Sequence, residues 1–435
     1  MKNSDKILRI SLFFDSSTNQ TFNTSKNVQI PDLATKTSHE SNIMQSNMWR
    51  LYCSLQKNKS LYIQSVYIGE KSSAQNTVGN LAKFITDFDH YKSNSKTQIA
   101  LNNILDILKS YSLDHKNTEL QLKIDLFGFS SGAAVARNFA NLLNSDREVL
   151  DEIRTVLRKN NNVLKELTFG FLGLFDTLKI NLGNPTKTGI NLDLKDIKAD
   201  AIFHLTAMHE FRKNTPLLSV FNSKLPTTST DLDTFGSKSN RVTNTFEFAV
   251  PGSHTDIGGG NSLFEDEDYI INHKPTFTAA NLIDSIQNII DTNLLLAPLF
   301  STVKFEYNIF RGGYTAINRR KNVYGHLQLL YARLMVDTAV QFGVPFNLSE
   351  FETAHSIPTE LKYFYCELVE SRNLLLNVKT FNSPINALDH QLIQKYVHLS
   401  PSALSLSHNP KKKSKMSILR KSPQSRNDLF SIKLA

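Results

Sequence analysis

The stretch KIDLFGFSSGAAVARNFANLL, from Lys123 to Leu143, decides the fold. Its first half is a short apolar run that ends in a glycine, which predicts a buried strand, and its second half has the spacing of a helix. The junction is Gly-Phe-Ser-Ser-Gly, with Ser130 between Gly128 and Gly132. A G-x-S-x-G pattern between a strand and a helix is typical of a nucleophile on a sharp turn. The alternative is an ordinary turn of small residues with a buried serine.

Strands and helices alternate on both sides of this stretch. Four more apolar runs have the length and composition of buried strands: Ile7–Phe14, Tyr62–Ile68, Leu167–Phe175 and Phe246–Val250. Four segments have apolar residues at helical spacing: Asn47–Leu55, Thr97–Lys109, Asn281–Asp291 and Val323–Phe342. This alternation predicts the α/β class, with a mainly parallel central sheet flanked by helices.

The chain of 435 residues divides into three predicted parts. Residues 1–346 form an α/β domain with lid insertions. Residues 347–408 form a helical C-terminal extension, which contains the helical candidates Leu361–Asn377 and Pro384–His398. Residues 409–435 form a basic, flexible tail.

The positive charge of the chain is concentrated in that tail. Between Lys411 and Ala435 there are eight Lys and Arg residues and one Asp, a net +7 of the total +9. The excess positive charge of the chain therefore comes from its tail and not from the folded part, and no nucleic-acid partner is predicted. The tail is either a solvated end or a segment that contacts anionic lipid headgroups.

Several other classes of protein are not indicated. Cys53 and Cys366 match no zinc or redox spacing, which fits two free thiols, although one disulfide is left open. The N-terminus has no uninterrupted apolar region of a Sec signal, and no stretch approaches a membrane span. No metal-ligand motif is present, and no G-K-[ST] follows the glycines at Gly258–Gly260. We expect no metal, cofactor or nucleotide.

A serine nucleophile needs a base, and the base needs an orienting acid. In hydrolases with this turn, the order along the chain is Ser, then Asp or Glu, then His. Asp176 ends one predicted strand and His254 follows another. Both lie at the carboxyl ends of strands, where open α/β sheets bind ligands. The sequence therefore predicts a triad of Ser130, Asp176 and His254.

Each partner has an alternative reading. Asp176 also fits a turn cap, and His254 is one of 12 histidines. Its rivals are His204 and His209 in the segment AIFHLTAMHEFR, which we interpret as a helix with packing histidines. Asp256, two residues after His254, is predicted to brace that loop.

An oxyanion hole needs two backbone N–H groups near the nucleophile. The amide of Ser131, at the start of the predicted helix, is one candidate. The loop after the first strand provides the other, and Ser16 is the predicted donor. Asp15 is expected to orient that loop through hydrogen bonds to the backbone; a simple Asx turn is the alternative.

Six motifs in order along the chain carry a resemblance to a known family: FFDSSTN (Phe13–Asn19), FGFSSGAAVAR (Phe127–Arg137), GLFDTL (Gly173–Leu178), HLTAMHEFR (His204–Arg212), PGSHTDIGGG (Pro251–Gly260) and LYARLMVDTAVQFGVPF (Leu330–Phe346). Together they resemble the α/β-hydrolase catalytic domain of the type VI secretion phospholipase effectors. The resemblance covers roughly residues 7–346.

The resemblance implies hydrolysis of glycerophospholipid esters by a Ser-Asp-His triad without a cofactor. It also implies a toxin that is carried by a secretion-machinery component into a target cell, acts at the membrane surface and is neutralised by an immunity protein. Two departures affect the oxyanion region. The family usually has Arg where this chain has Ser131, and Phe-Asp-Gly-Thr where it has Ser16 and Ser17. A soluble carboxylesterase for other esters and a non-catalytic protein with the hydrolase fold are the alternatives.

Overall fold

The structure is a computed structural model. It describes residues 6–16, 45–55, 63–68, 88, 95–179, 190–210, 216–221, 244–274, 280–292, 297–300, 302–309, 312–377 and 390–399. The predicted basic tail, residues 409–435, lies outside the described residues. The division at residues 346 and 347 into a catalytic domain and a helical extension stays a prediction.

Six strands of the described residues form one parallel sheet. Their bounds are β1 Lys6–Phe14, β2 Ile63–Ile68, β3 Glu119–Phe129, β4 Val163–Phe175, β5 Ala199–Ala207 and β6 Asn244–Val250. The order across the sheet is β2-β1-β3-β4-β5-β6, and every neighbouring pair is parallel. The strand that ends in the G-x-S-x-G stretch is therefore interior, so its carboxyl end lies beside those of β1 and β4.

In the described residues, helices alternate with the strands from β1 to β4, as predicted, whereas no helix is described between β4 and β5 or between β5 and β6. The bounds of the helices are α1 Asn47–Ser54, α2 Lys96–Asp114, α3 Ser131–Ser145, α4 Arg147–Arg158, α5 His254–Gly258, α6 Ala280–Thr292, α7 Leu327–Gln341, α8 Leu348–Ala354, α9 Thr359–Asn377 and α10 His390–Tyr396. The helix predicted at Val323–Phe342 starts later, at Leu327, because its first residues belong to a strand. In the described part of the chain, no helix is long and apolar enough to cross a membrane.

Both faces of the parallel sheet are buried, which explains the continuous apolar runs of its strands. Successive residues of a strand point to opposite faces, so Phe13 and Phe127 belong to one core cluster, and Phe14 and Leu126 to the other. On the first face the rings of Phe13 and Phe127 stack with centroids 4.9 Å apart. Helices α1, α7 and α9 cover this face, and α2, α3 and α4 cover the other.

A second, antiparallel sheet follows the His254 loop and was not predicted. Its strands are β7 Phe264–Lys274, β8 Val303–Asn308 and β9 Gly313–Tyr324, in the order β7-β9-β8. Its segments are rich in charged residues, and they lack the apolar runs that identified the other strands. Two of these charged residues form a buried ion pair, in which Arg320 Nη1 donates to Glu267 Oε2 at 2.7 Å.

A buried carboxylate in the middle of β3 ties together three strands of the parallel sheet. Asp125 accepts from Arg9 Nε at 2.7 Å and Arg9 Nη2 at 2.8 Å, from Ser11 Oγ at 2.9 Å and from the Phe171 N–H at 3.0 Å. The β3–β4 register shifts between Ile124 and Leu126, so Asp125 satisfies the amide that this irregularity leaves without a ladder partner.

We expect Asp125→Ala to lower the free energy of unfolding by about 3 kcal/mol, because the Phe171 amide loses its acceptor and the Arg9 guanidinium loses its buried carboxylate partner. Urea unfolding of the purified chain measures this change. The matched control is Asp106→Ala, which removes an exposed ion pair with Lys109 and should cost less than about 1 kcal/mol. Equal effects of the two substitutions would contradict the role given to Asp125.

Candidate active site

Ser130 lies on a strained turn between the end of β3 and the start of α3. Its backbone has φ 59° and ψ −122°, a conformation that residues with a Cβ rarely adopt. Its N–H donates to the Phe175 carbonyl at 3.0 Å, and its carbonyl accepts from the Leu178 N–H at 3.2 Å. Both partners flank the end of β4, so the turn is fastened to the neighbouring strand. This is the geometry that presents a serine above the edge of an α/β sheet.

The two glycines of this turn allow a close approach of backbone segments. A Cβ on Gly128 would lie 2.5 Å from the Ala133 Cα, and a Cβ on Gly132 would lie 2.3 Å from the Phe14 carbonyl oxygen. Neither space accommodates a side chain. Glycine at both positions therefore lets the first turn of α3 rest directly on β3 and β1.

Asp176 directly follows β4 and is locked onto β5. Its φ of 38° is unusual for a residue other than glycine. Its N–H donates to the Leu205 carbonyl at 2.7 Å, and its Oδ1 accepts from the Ala207 N–H at 3.0 Å. Its Oδ2 lies 2.6 Å from His254 Nδ1. The backbone and one carboxylate oxygen are thus fixed by β5, and the other oxygen holds the imidazole.

His254 is the first residue of α5, which follows β6. A carboxylate only accepts hydrogen bonds, so Nδ1 carries the proton that bonds Asp176, and Nε2 is left to act as an acceptor. The ring of Phe129, the residue before Ser130, packs against the imidazole with centroids 4.6 Å apart. The structure therefore places Asp176 and His254 in direct contact and brings the end of β3, which leads into Ser130, against the same imidazole.

Asp256 braces the loop that carries His254. Its Oδ2 accepts from the Ser253 N–H at 2.8 Å and from Ser253 Oγ at 3.0 Å, and its Oδ1 accepts from Asn261 Nδ2 at 2.8 Å. Ser253 is the N-cap of α5, so Asp256 closes a capping box around the residue before His254. From α7, the Tyr331 hydroxyl donates to the Pro251 carbonyl in the same loop.

His204 and His209 do not lie in a helix, so this part of the sequence interpretation is wrong. His204 is in β5, and His209 follows it two residues after the strand ends. Almost every residue of β5 is buried, so the strand has no alternating pattern, and periodicity alone does not distinguish such a run from a buried helix.

Both histidines accept hydrogen bonds from backbone N–H groups beside the candidate site, so they do more than fill the core. His204 Nε2 accepts from the Thr177 N–H at 3.0 Å, while its Nδ1 lies 2.9 Å from Glu247 Oε2. His209 Nδ1 accepts from the Gly252 N–H at 3.0 Å. Burial lowers the pKa of His209 to about 4, so it is neutral at neutral pH and can accept that bond.

The Ser16 amide is not directed at an oxyanion in this structure. It donates to Asp15 Oδ1 at 2.7 Å. Asp15 Oδ2 accepts from Tyr67 Oη at 2.6 Å and from the Ser46 hydroxyl, and the Asp15 carbonyl accepts from Lys96 Nζ at 2.6 Å. Burial raises the pKa of Asp15, although these hydrogen bonds oppose the shift. Asp15 thus engages the amide that was predicted as an oxyanion donor.

Ser131 is the first residue of α3 and is buried. Its backbone amide lies at the helix N-terminus, where the helix dipole favours negative charge. Its part in an oxyanion hole stays a prediction. Among the described residues, no group of three or more His, Cys, Asp or Glu side chains is placed to hold a metal ion.

The sequence interpretation missed His398, whose ring Nδ1 lies 2.6 Å from Asp256 Oδ1, 142 residues earlier in the chain. Burial favours the neutral ring, but Asp256, Glu267 and Glu265 together outweigh it and raise the pKa of His398. No motif or spacing surrounds this histidine, so nothing in the sequence marks it.

The chain was compared with known proteins. No family model and no curated protein matches the sequence. Among solved structures, the Tle1 effector bound to the VgrG spike of a type 6 secretion system matches with a TM-score of 0.64 and 21% identity, over 92% of this chain and 85% of that one. An uncharacterized protein from Pseudomonas aeruginosa matches at 16% identity over 84% of this chain and 51% of that one, with a TM-score of 0.42. The α/β-hydrolase-like fold predicted from the sequence is therefore confirmed, and this chain shares it with a type VI secretion effector.

Proposed function

We propose that this chain is a serine hydrolase that cleaves acyl ester bonds of glycerophospholipids with Ser130, His254 and Asp176. One observation carries the proposal: a His–Asp pair with a 2.6 Å hydrogen bond lies against the strand end that leads into a strained serine turn. The order along the chain and the positions at strand ends are those of hydrolases with this turn. The lipid class of the substrate is supported by the six-motif resemblance and by the fold shared with the Tle1 effector.

In this mechanism Ser130 Oγ attacks the ester carbonyl carbon while His254 Nε2 takes its proton. The tetrahedral intermediate expels the lysophospholipid alcohol, which receives that proton from His254. Water, activated by the same imidazole, then releases the fatty acid from Ser130. Asp176 holds the ring in the required tautomer and stabilises the imidazolium that forms in both steps.

The developing oxyanion is stabilised by the Ser131 amide at the N-terminus of α3. The Asp15–Ser16 turn supplies the second wall of this hole. Because the Ser16 N–H is bonded to Asp15 in this structure, it becomes an oxyanion donor only after that bond is exchanged when substrate binds. The serine side chains at positions 131 and 16 are not required, since both proposed donors are backbone amides.

We expect the wild-type chain to release free fatty acid and lysophospholipid from vesicles of phosphatidylethanolamine and phosphatidylglycerol, and Ser130→Ala to lower that rate at least about a thousandfold. Mass spectrometry of the lipid products measures both, and the lyso isomer identifies the ester that is cut. Ser131→Ala is the matched control: it keeps the proposed amide donor, so its rate should stay within about tenfold of wild type.

The other results of this experiment are informative. Hydrolysis of short p-nitrophenyl esters without hydrolysis of vesicles would replace the lipid substrate by a soluble ester. No product from either substrate, together with cooperative thermal unfolding and no labelling by a fluorophosphonate probe, would make the chain a non-catalytic protein with a hydrolase fold. Full activity of Ser130→Ala would exclude Ser130 as the nucleophile.

We propose further that the chain is an effector that a type VI secretion machine carries into a target cell, where it acts at the membrane surface. The Tle1 effector of the matching structure is bound to a VgrG spike. A spike protein of the source organism is therefore the proposed partner, and a separate immunity protein would neutralise the activity.

We expect the full chain carrying Ser130→Ala, which avoids toxicity to the expression host, to form a stable complex with a VgrG spike from the same organism. Size-exclusion chromatography of the mixed proteins at micromolar concentration measures this. Wild-type and variant chains should bind alike, because the substitution lies within the candidate active site. Separate elution with every such spike of the organism would contradict delivery by this route.

A further inference from the structure

The segment of residues 390–399, here called the C-terminal segment, ends directly on the His254 loop. It consists of α10 and the three residues that follow it. His398 is buried, and its ring Nδ1 lies 2.6 Å from Asp256 Oδ1, while its N–H donates to Asp256 Oδ2 at 2.9 Å. The segment thus contacts the carboxylate that closes the capping box beside His254.

This carboxylate links the C-terminal segment to the helix that begins with His254. Asp256 is fully buried, and its two oxygens accept hydrogen bonds from Ser253 and Asn261 on its own loop and from His398. A buried carboxylate is costly unless its charge is compensated. His398 Nδ1 lies 2.6 Å from one of its oxygens, so this histidine is a direct partner of the carboxylate that fastens the backbone at Ser253.

The second sheet holds His398 in place independently of the loop. The Leu399 N–H donates to Glu267 Oε1 at 2.8 Å, and Arg320 Nη2 donates to the carbonyls of Gln394 at 2.6 Å and Val397 at 2.8 Å. Arg320 also pairs with Glu267. The residues on both sides of His398 are therefore fixed to β7 and β9, which makes the histidine a rigid support for the loop.

We propose that His398 is a positioning residue for His254, and that the C-terminal segment is in this way a working part of the active site. The inference rests on the proposed function. His398 is bonded to Asp256, Asp256 is bonded to Ser253, and Ser253 is the residue before His254 in the chain. Asp176 holds the imidazole itself, and the His398–Asp256 pair holds the backbone from which that imidazole projects. Displacement of a catalytic group by about 1 Å costs roughly a hundredfold in rate.

The test compares three variants of the full chain. His398→Ala removes the contact, and His398→Asn keeps a neutral donor near the position of Nδ1. His390→Ala is the matched control, because it makes the same substitution at an exposed residue of the same segment. Two measurements are made: the kinetics of ester hydrolysis and of fluorophosphonate labelling at Ser130, and hydrogen exchange of the amides in α5. The Ile257 and Gly259 amides report on that helix, since they donate to Ser253 and Thr255.

We expect His398→Ala to lower kcat and the labelling rate about ten- to a hundredfold with KM changed less than twofold, because binding contacts are intact. Exchange at residues 253–259 should accelerate while exchange in α3 stays as in wild type. His398→Asn should recover most of the rate, and His390→Ala should match wild type. If His398 had a purely structural role, His398→Ala would lower the stability of the chain, but it would not lower kcat at an unchanged KM. His398→Asn would then not restore the rate.

Wild-type kinetics and wild-type exchange in His398→Ala would overturn the inference. If His398→Ala does not fold, Asp256→Asn decides: a selective loss of kcat with faster exchange at residues 253–259 supports the inference, and unchanged values overturn it. If the wild-type chain is neither active nor labelled, the proposed function fails, and hydrogen exchange alone decides whether His398 fixes the loop.

Discussion

The hydrogen bond of 2.6 Å between His254 and Asp176 joins the ends of two strands that are not neighbours. Asp176 follows β4 and His254 follows β6, with β5 between them. Two strand spacings amount to about 10 Å, so the two side chains meet only if both loops bend toward the end of the intervening strand. The end of β5 enforces this. Ala207 binds the Asp176 carboxylate on one side, and His209 binds the Gly252 amide on the other.

Because the loops after β4 and β6 must meet across the end of β5, residues with unfavourable backbone conformations occur at this edge of the sheet. Ser130 and Asp176 both have positive φ, a conformation that costs about 1–3 kcal/mol for each residue. The surrounding contacts hold them there. The Ser130 amide is bonded to the end of β4, the Asp176 amide is bonded to β5, and glycines let α3 sit directly on the strands. The site is rigid on the side of Ser130 and Asp176, while the His254 loop depends on contacts from distant parts of the chain.

What the sequence predicted follows from local patterns. The apolar runs, the G-x-S-x-G turn and the positions of Asp176 and His254 after strands are all visible within about ten residues, and the parallel sheet follows from the alternation. The features that the sequence did not predict depend on contacts between distant residues or on the detailed geometry of the backbone. His204 lies in a continuously buried strand whose periodicity does not distinguish it from a helix, and the strands β7–β9 contain many charged residues in place of an apolar run. His398 acts across 142 residues, and the bond from Ser16 to Asp15 is a matter of local backbone orientation.

The most direct test of the account is a crystal structure of the chain after reaction with a long-chain alkyl fluorophosphonate. The account predicts a covalent bond from phosphorus to Ser130 Oγ and a phosphonyl oxygen within hydrogen-bond distance of the Ser131 amide. It also predicts that His254 Nδ1 remains bonded to Asp176 and that its Nε2 faces the bonded Ser130 oxygen. An unmodified Ser130, or an adduct with His254 turned away from Asp176, would contradict the claim that these three residues form one catalytic unit.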